Sequence, residues 1–248
     1  MRGPFGRWSA RAARSCTFPM VRAAAVLMLV AIPMGTQRTA HAQSAVSGQI
    51  TLLESGKKGR NDLATAIVWL APVGFTDARF DSIPRRATVA MRTREFLPHV
   101  SIVAAGGSVE FPNQDPFSHN VFSNSELGRF DLGLYRRRDT RSATVAKPGV
   151  YAVYCNIHSK MSTFVIAVPG RHVARVDNKG AFVLRNVPSG TYELHAWHER
   201  ASEMQTRIVV GAGDASVMVS LDARGFVPGP HLNKFGQAYA VTRADRYE

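Results

Sequence analysis

The chain has 248 residues, 31 of them Lys or Arg against 18 Asp or Glu, for a formal charge of +13. Its composition is near the globular average, and at about 150 residues per domain the length allows one sizeable core or two small ones. Six of the basic residues fall in the first 42 positions; without them the charge is +7, too moderate by itself to imply a nucleic-acid partner.

Those 42 residues carry no acidic side chain and read as a secretory signal peptide. A basic leader precedes an apolar run over residues 23–34, and Ala40-His41-Ala42 stands before Gln43 as an A-x-A cleavage site. The run is too short to span a bilayer comfortably, and no later stretch reaches span length. The expected mature chain, residues 43–248, is therefore exported, with the periplasm as its compartment, and has no membrane span.

From Gln43 onward the pattern predicts an all-β protein. Short alternating or apolar runs recur between Gly, Pro, Asn and Asp, with no sustained helical period. They fall at residues 46–53, 65–70, 98–104, 108–111, 150–154, 162–168, 176–184, 192–197 and 208–221. Residues 79–94 are more polar and carry five arginines. After Asp222 the periodicity is lost, and residues 223–248 read as a tail lying along the surface. Many short strands with regular turns indicate a β-sandwich or barrel.

Cysteine use narrows the chemistry. Cys16 lies in the leader, which leaves Cys155 alone in an exported chain, without an internal disulfide partner. A lone thiol there is a metal ligand, a nucleophile, an intermolecular bridge or an inert core residue. It stands in Cys155-Asn156-Ile157-His158-Ser159-Lys160-Met161, a Cys-x2-His-x2-Met spacing, and Ser118-His119-Asn120 upstream supplies a second imidazole. One thiolate, two imidazoles and a thioether form the ligand set of a blue-copper site. Structural zinc sites use no thioether, and no Asn or Asp is visibly placed to orient His158 as the base of a cysteine nucleophile. A single cysteine with few histidines cannot also build the second, catalytic copper centre of an oxidase, so no enzymatic activity is expected.

At these residues the chain resembles the cupredoxins, the plastocyanin and amicyanin group. Phe111-Pro112-Asn113-x-Asp115, then His119-Asn120-Val121, then the Cys155–Met161 segment follow the family's order, over roughly residues 79–170. The resemblance implies a Greek-key β-sandwich with one copper held by His119, Cys155, His158 and Met161. The short Cys-to-Met spacing looks more like amicyanin than plastocyanin. Asn120 matches the residue that ties the two ligand loops together. The segment 130–138, Phe-Asp-Leu-Gly-Leu-Tyr followed by Arg136, Arg137 and Arg138, resembles one in the periplasmic cupredoxin-containing proteins known as methylamine utilisation proteins. Those arginines suit docking of a redox partner with an acidic surface, such as a cytochrome or dehydrogenase; a plain solvated turn is the competing reading.

The flanks carry a second resemblance. Residues 46–50 and 66–70, and later Asp177-Asn178-Lys179-Gly180-Ala181-Phe182 and Pro188-Ser189-Gly190-Thr191-Tyr192, are similar to the carboxypeptidase regulatory-like domain, a small transthyretin-like β-sandwich. Its Gly and Pro positions fit tight turns. The implied organisation is a discontinuous sandwich at 43–78 and 171–222, with the cupredoxin domain, 79–170, inserted between its halves; one irregular run of sequential strands is the alternative. His99, His195 and His198 are expected to be structural, because positions three apart on a strand face opposite ways. His172 and His231 are expected at the surface.

The function these features imply is carriage of single electrons by a mononuclear copper site. Copper delivery without redox cycling, and a non-catalytic interaction module, are the alternatives.

Overall fold

The computed structural model describes residues 43–55, 62–76 and 82–239. The expected signal peptide and Cys16 lie outside them. Among the described residues there is no α-helix, only one short 3-10 turn at Leu63–Thr65.

Three strands form the first sheet: β1 (Gln43–Leu53) lies between β14 (Ala181–Pro188) and β17 (Ala215–Asp222). β2 (Ile67–Pro72) pairs with β13 (Val173–Arg175) and β15 (Gly190–His198), and β16 (Ala201–Val210) completes a four-stranded sheet. These two sheets enclose Val46, Ile50, Val68, Leu70, Phe182, Leu184, Tyr192, Leu194, Val219 and Leu221. Their strands come from the two ends of the described chain.

The strands between them build a second pair of sheets. β3 (Arg86–Thr88), β7 (Gly107–Pro112) and β10 (Thr140–Val145) make one layer. The facing layer has five strands: β6 (Val100–Ala104), β12 (His158–Val168), β11 (Gly149–Cys155), β8 (His119–Ser123) and β9 (Phe130–Tyr135), in that spatial order. A small hairpin, β4 (Ala90–Arg92) and β5 (Glu95–Leu97), adds Met91 and Phe96 to a core that contains Phe111, Val121, Tyr135, Tyr151, Val153, Cys155, Met161 and Val165. The all-β expectation holds.

β2 has a continuously buried apolar run, which on a half-exposed sheet would place every second residue in water. Alternation explains the run once both faces are covered. Val68 and Leu70 enter the first core, while Ile67 and Trp69 point the other way. There they meet Ile166, Val168 and Val100 from the five-stranded sheet, together with Trp197. β12 divides in the same manner, with Val165 and Ala167 facing one core and Ile166 and Val168 the seam. An apolar seam thus joins the two sandwiches.

His172 departs from expectation. It is buried, its carbonyl accepting the Leu70 N–H at 2.9 Å and its ring edge-on to Tyr192. It stands immediately before β13, where the chain returns to pair with β2.

Candidate metal centre

The ligand segment forms a tight hairpin rather than an open loop. β11 ends at Cys155, β12 begins at His158, and only Asn156 and Ile157 lie between. In a two-residue hairpin the flanking residues are cross-strand partners with side chains on one face, and Cys155 pairs with His158 here. The register then jumps, because Tyr154 pairs with Ser162, so residues 159–161 stand outside the ladder. Beyond the jump the alternation resumes with Met161, Thr163 and Val165 buried. Met161 consequently joins the same core cluster as Cys155.

β8 supplies the other imidazole. Val121 pairs with Cys155, which brings His119 close to the hairpin. Cys155 Sγ lies 3.6 Å from His119 Nδ1 and 3.4 Å from His158 Nδ1. All three atoms lie within 4.8 Å of one another, the only such His/Cys/Asp/Glu group among the described residues. A nitrogen and a sulfur bound to one first-row ion at about 2.0 and 2.3 Å, some 110° apart, stand about 3.5 Å from each other. The spacing fits a metal ion, and the mixed soft and imidazole donors suit copper.

The electrostatics support a ligand role for His119. It is fully buried, and its Nε2–H donates to Asp115 Oδ2 at 2.9 Å. Burial holds the imidazole below its ordinary pKa, with Asp115 opposing. The ring is then neutral, with its proton on Nε2 and the Nδ1 lone pair towards Cys155; a carboxylate behind a ligating histidine fixes its tautomer and raises its basicity. Burial pushes the Cys155 thiol up, while the backbone N–H groups of Ile157, Asn120 and His158 act in the opposite direction.

Asp115 has its own cradle. Thr93 and Arg94 occupy the β4–β5 turn at φ +55° and +59°, a left-handed conformation that L residues rarely adopt. Both of their N–H groups donate to the Asp115 carboxylate, at 2.6 and 3.0 Å. Burial alone would raise this carboxyl; the bonds from Arg94, His119 and Thr93 bring it below its usual value. Phe117 closes the other side, its ring 5.2 Å from His119 and 5.6 Å from His158, with the Arg94 guanidinium above it. The sequence reading gave no role to Asp115, although Asn113-x-Asp115 was the available signal.

Asn120 joins the ligand elements through its backbone: its carbonyl accepts the Asn156 N–H at 2.8 Å. Its side chain turns instead to Asp131 on β9, 2.6 Å away. Arg136, Arg137 and Arg138 are exposed on the turn after β9. That turn is tied to the Asn113–Asp115 segment by the Arg138 N–H, which donates to the Asn113 carbonyl.

The remaining histidines have other partners. His99 faces Glu199 at 2.6 Å. His195 stacks on Trp69 and bonds to Glu203, whereas His198 is buried against Thr65 and the Arg200 N–H. A register shift does lie between Ala196 and His198, yet the two rings keep separate partners. His231 is half-buried and rests on the ligand hairpin, which no periodicity in the tail signals.

A buried cysteine between two histidine nitrogens, at one end of a β-sandwich, is the arrangement a cupredoxin-type metal centre would use. No family model matches the chain. Over 73 residues it is 32% identical to the plastocyanin of Ulva arasakii, covering 26% of this chain and 74% of that protein. The chain belongs to the plastocyanin family, and the shared segment is a minor part of its length. Among solved structures, amicyanin from Paracoccus versutus is 19% identical, covers 40% of this chain and 96% of its own, and gives a TM-score of 0.31. A copper-containing nitrite reductase from Thermus scotoductus is 26% identical over 39% of this chain and 25% of its own, also at a TM-score of 0.31.

Proposed function

We propose that this protein carries single electrons between redox partners in the periplasm, using one copper held by His119, Cys155, His158 and Met161. The observation that carries this reading is the convergence of Cys155 Sγ with the Nδ1 atoms of His119 and His158 inside a sandwich core. Copper so held would cycle between Cu(I) and Cu(II) without leaving its ligands.

The chain's own residues do the rest. Asp115 holds the His119 proton on Nε2, away from the metal. The two-residue turn keeps Cys155 and His158 on one face. Burial of His119, Cys155 and Met161 excludes water, so the donors reorganise little when charge changes. Electron carriage needs no substrate pocket and no acid or base, and we assign the chain no catalysis. The exposed arginines at 136–138 offer an acidic cytochrome or dehydrogenase a positive surface near the site. Residues 79–170 then form a cupredoxin domain inserted into a regulatory-like sandwich, 43–78 and 171–222, whose role is to scaffold it.

A visible spectrum of the protein titrated with Cu(II), beside Cys155→Ser, tests the reading. An intense thiolate-to-copper band is expected, bleached by ascorbate, restored by an oxidant and absent from the variant. Copper binding of equal strength and spectrum in Cys155→Ser overturns it.

A further inference from the structure

Residues 226–239 form no strand, yet they lie against the one hairpin that carries Cys155 and His158. The Tyr239 hydroxyl donates to the Cys155 carbonyl at 3.0 Å. The Lys234 N–H donates to Asn156 Oδ1 at 2.9 Å. His231 Nε2 bonds to the His158 carbonyl at 3.2 Å, and the His231 N–H to the Ser159 carbonyl at 3.1 Å. Of residues 155–159, only Ile157 receives no bond from this segment among those seen. The His231 ring also stacks on Tyr154 at 4.4 Å and meets Tyr239 edge-on.

The segment has an order of its own. The Asn233 side chain accepts the N–H groups of Phe235 and Gln237, and Gly236 at φ +78° closes that turn onto the Asn233 carbonyl. Lys234 Nζ bonds to Asp131 Oδ2 at 2.6 Å, and Asp131 Oδ1 accepts from Asn120, the neighbour of His119. One segment therefore reaches both of the elements that present metal donors.

Strand pairing is interrupted directly beside Cys155 and His158, because residues 159–161 stand outside the ladder. The tip of a hairpin cut off from its paired base by a register shift opens locally at lower cost than the base does. The bond to the Ser159 carbonyl lies in the stretch the ladder omits, and those to the Cys155 and His158 carbonyls brace the pair beside it, without touching the side-chain atoms of Cys155 or His158.

We propose that residues 226–239 are a strap in which His231, Lys234 and Tyr239 act as positioning residues, holding the Cys155–His158 hairpin in its ligand geometry before metal arrives. The proposal rests on the metal reading of the same site.

Two measurements on Tyr239→Phe and His231→Ala, each in the otherwise intact protein, test it. The first is amide hydrogen exchange of the metal-free protein, compared between residues 155–161 and residues 181–188 in the other sandwich. Exchange in the hairpin is expected to rise about tenfold in His231→Ala, which loses a ring bond and a stack, and severalfold in Tyr239→Phe, with residues 181–188 unchanged. The second is the electron paramagnetic resonance spectrum and the rate of copper transfer to a chelator. Altered copper hyperfine splitting and faster transfer are expected in both variants. Val227→Ala, in the same segment and 84% exposed, should match the wild type in both measurements. Hairpin exchange unchanged in both strap variants overturns the proposal, as does an equal effect from Val227→Ala, which would mean general cover rather than these bonds. If the wild-type protein takes up no copper while the exchange difference persists, the metal reading fails and the positioning of the hairpin stands.

Discussion

The two sandwiches share one construction, period-two strands closing on an apolar core, but they treat buried polar groups differently. In the sandwich built from the two ends of the described chain, Arg200 donates to Glu54 and to Asp62 through its terminal nitrogens, its Nε alone lacking a partner, and His198 meets Thr65. In the other, Asn113, Asp115, His119 and Asn120 are all buried at one end. Their bonds run in sequence, from the strained Thr93–Arg94 turn to Asp115, and from Asp115 to the far nitrogen of His119. What is left pointing inward is Cys155 Sγ, 3.6 Å from His119 Nδ1 and 3.4 Å from His158 Nδ1. A thiol and two imidazole nitrogens so close together are the kinds of donor a copper ion takes, which is what the proposal rests on. In the first sandwich the buried polar groups pair with one another; in the second they run in series to the ring that faces Cys155.

The largest expected effect breaks the comparison at the seam. Trp69, almost fully buried, lies between the two sandwiches, and Trp69→Ala should cost about 3–5 kcal/mol through lost transfer energy and the cavity left behind. Denaturant unfolding would measure this, while the copper spectrum of the folded variant should match the wild type. A shifted spectrum would mean that the site depends on the seam. Asp115→Asn sharpens the comparison from the other side. The amide keeps the size of the carboxylate but not its charge, so His119 becomes a poorer donor to Cu(II). Affinity should fall about 10- to 100-fold, and the reduction potential should rise, since the oxidised ion loses more stabilisation than the reduced one. Stability to denaturant should change less than in Trp69→Ala. An unchanged potential would remove Asp115 from the metal's surroundings.

How much of this could be read in advance depended on which residues carry the signal. The strands of the first sandwich were legible because runs such as 46–53 and 208–221 alternate cleanly. β8, β9 and β10 were not picked out. β8 begins with His119 and Asn120, β9 contains Asp131 and Gly133, and β10 buries only Ala143 and Val145. The ligand types were readable from Cys155, His158, Met161 and His119, whereas their arrangement was not. The two-residue hairpin was not legible, because strand periodicity stops where the register jumps at residues 159–161. The Thr93–Arg94 turn and the contacts of His231 and Tyr239 were out of reach for a related reason. They act through backbone groups of distant segments, and backbone hydrogen bonds leave no mark in composition or period.

The smallest expected effect concerns the pair that crosses between the two sandwiches, His99 after β5 and Glu199 after β15. The Glu199 hydrogen bond raises the His99 pKa above 6.5, against burial and with help from Glu95, and the same bond lowers Glu199 below 4.5. For His99 the folded value exceeds the unfolded one, so its contribution is complete below about pH 6.5 and disappears as pH rises through the raised value. For Glu199 the folded value is depressed, so its contribution is present above the ordinary carboxylate range and is lost as pH falls through the lowered value. Together they stabilise most strongly in mildly acidic solution. The His99 ring is 40% exposed, and screening at that exposure keeps such a pair below about 1 kcal/mol. His99→Gln should therefore lower stability slightly at pH 6 and not at pH 9, as measured by denaturant midpoints at the two pH values. A loss comparable to that of Trp69→Ala would mean that charge, rather than the apolar seam, joins the sandwiches. The burial of Ile67, Ile166 and Val168 against so exposed an ion pair argues that it does not.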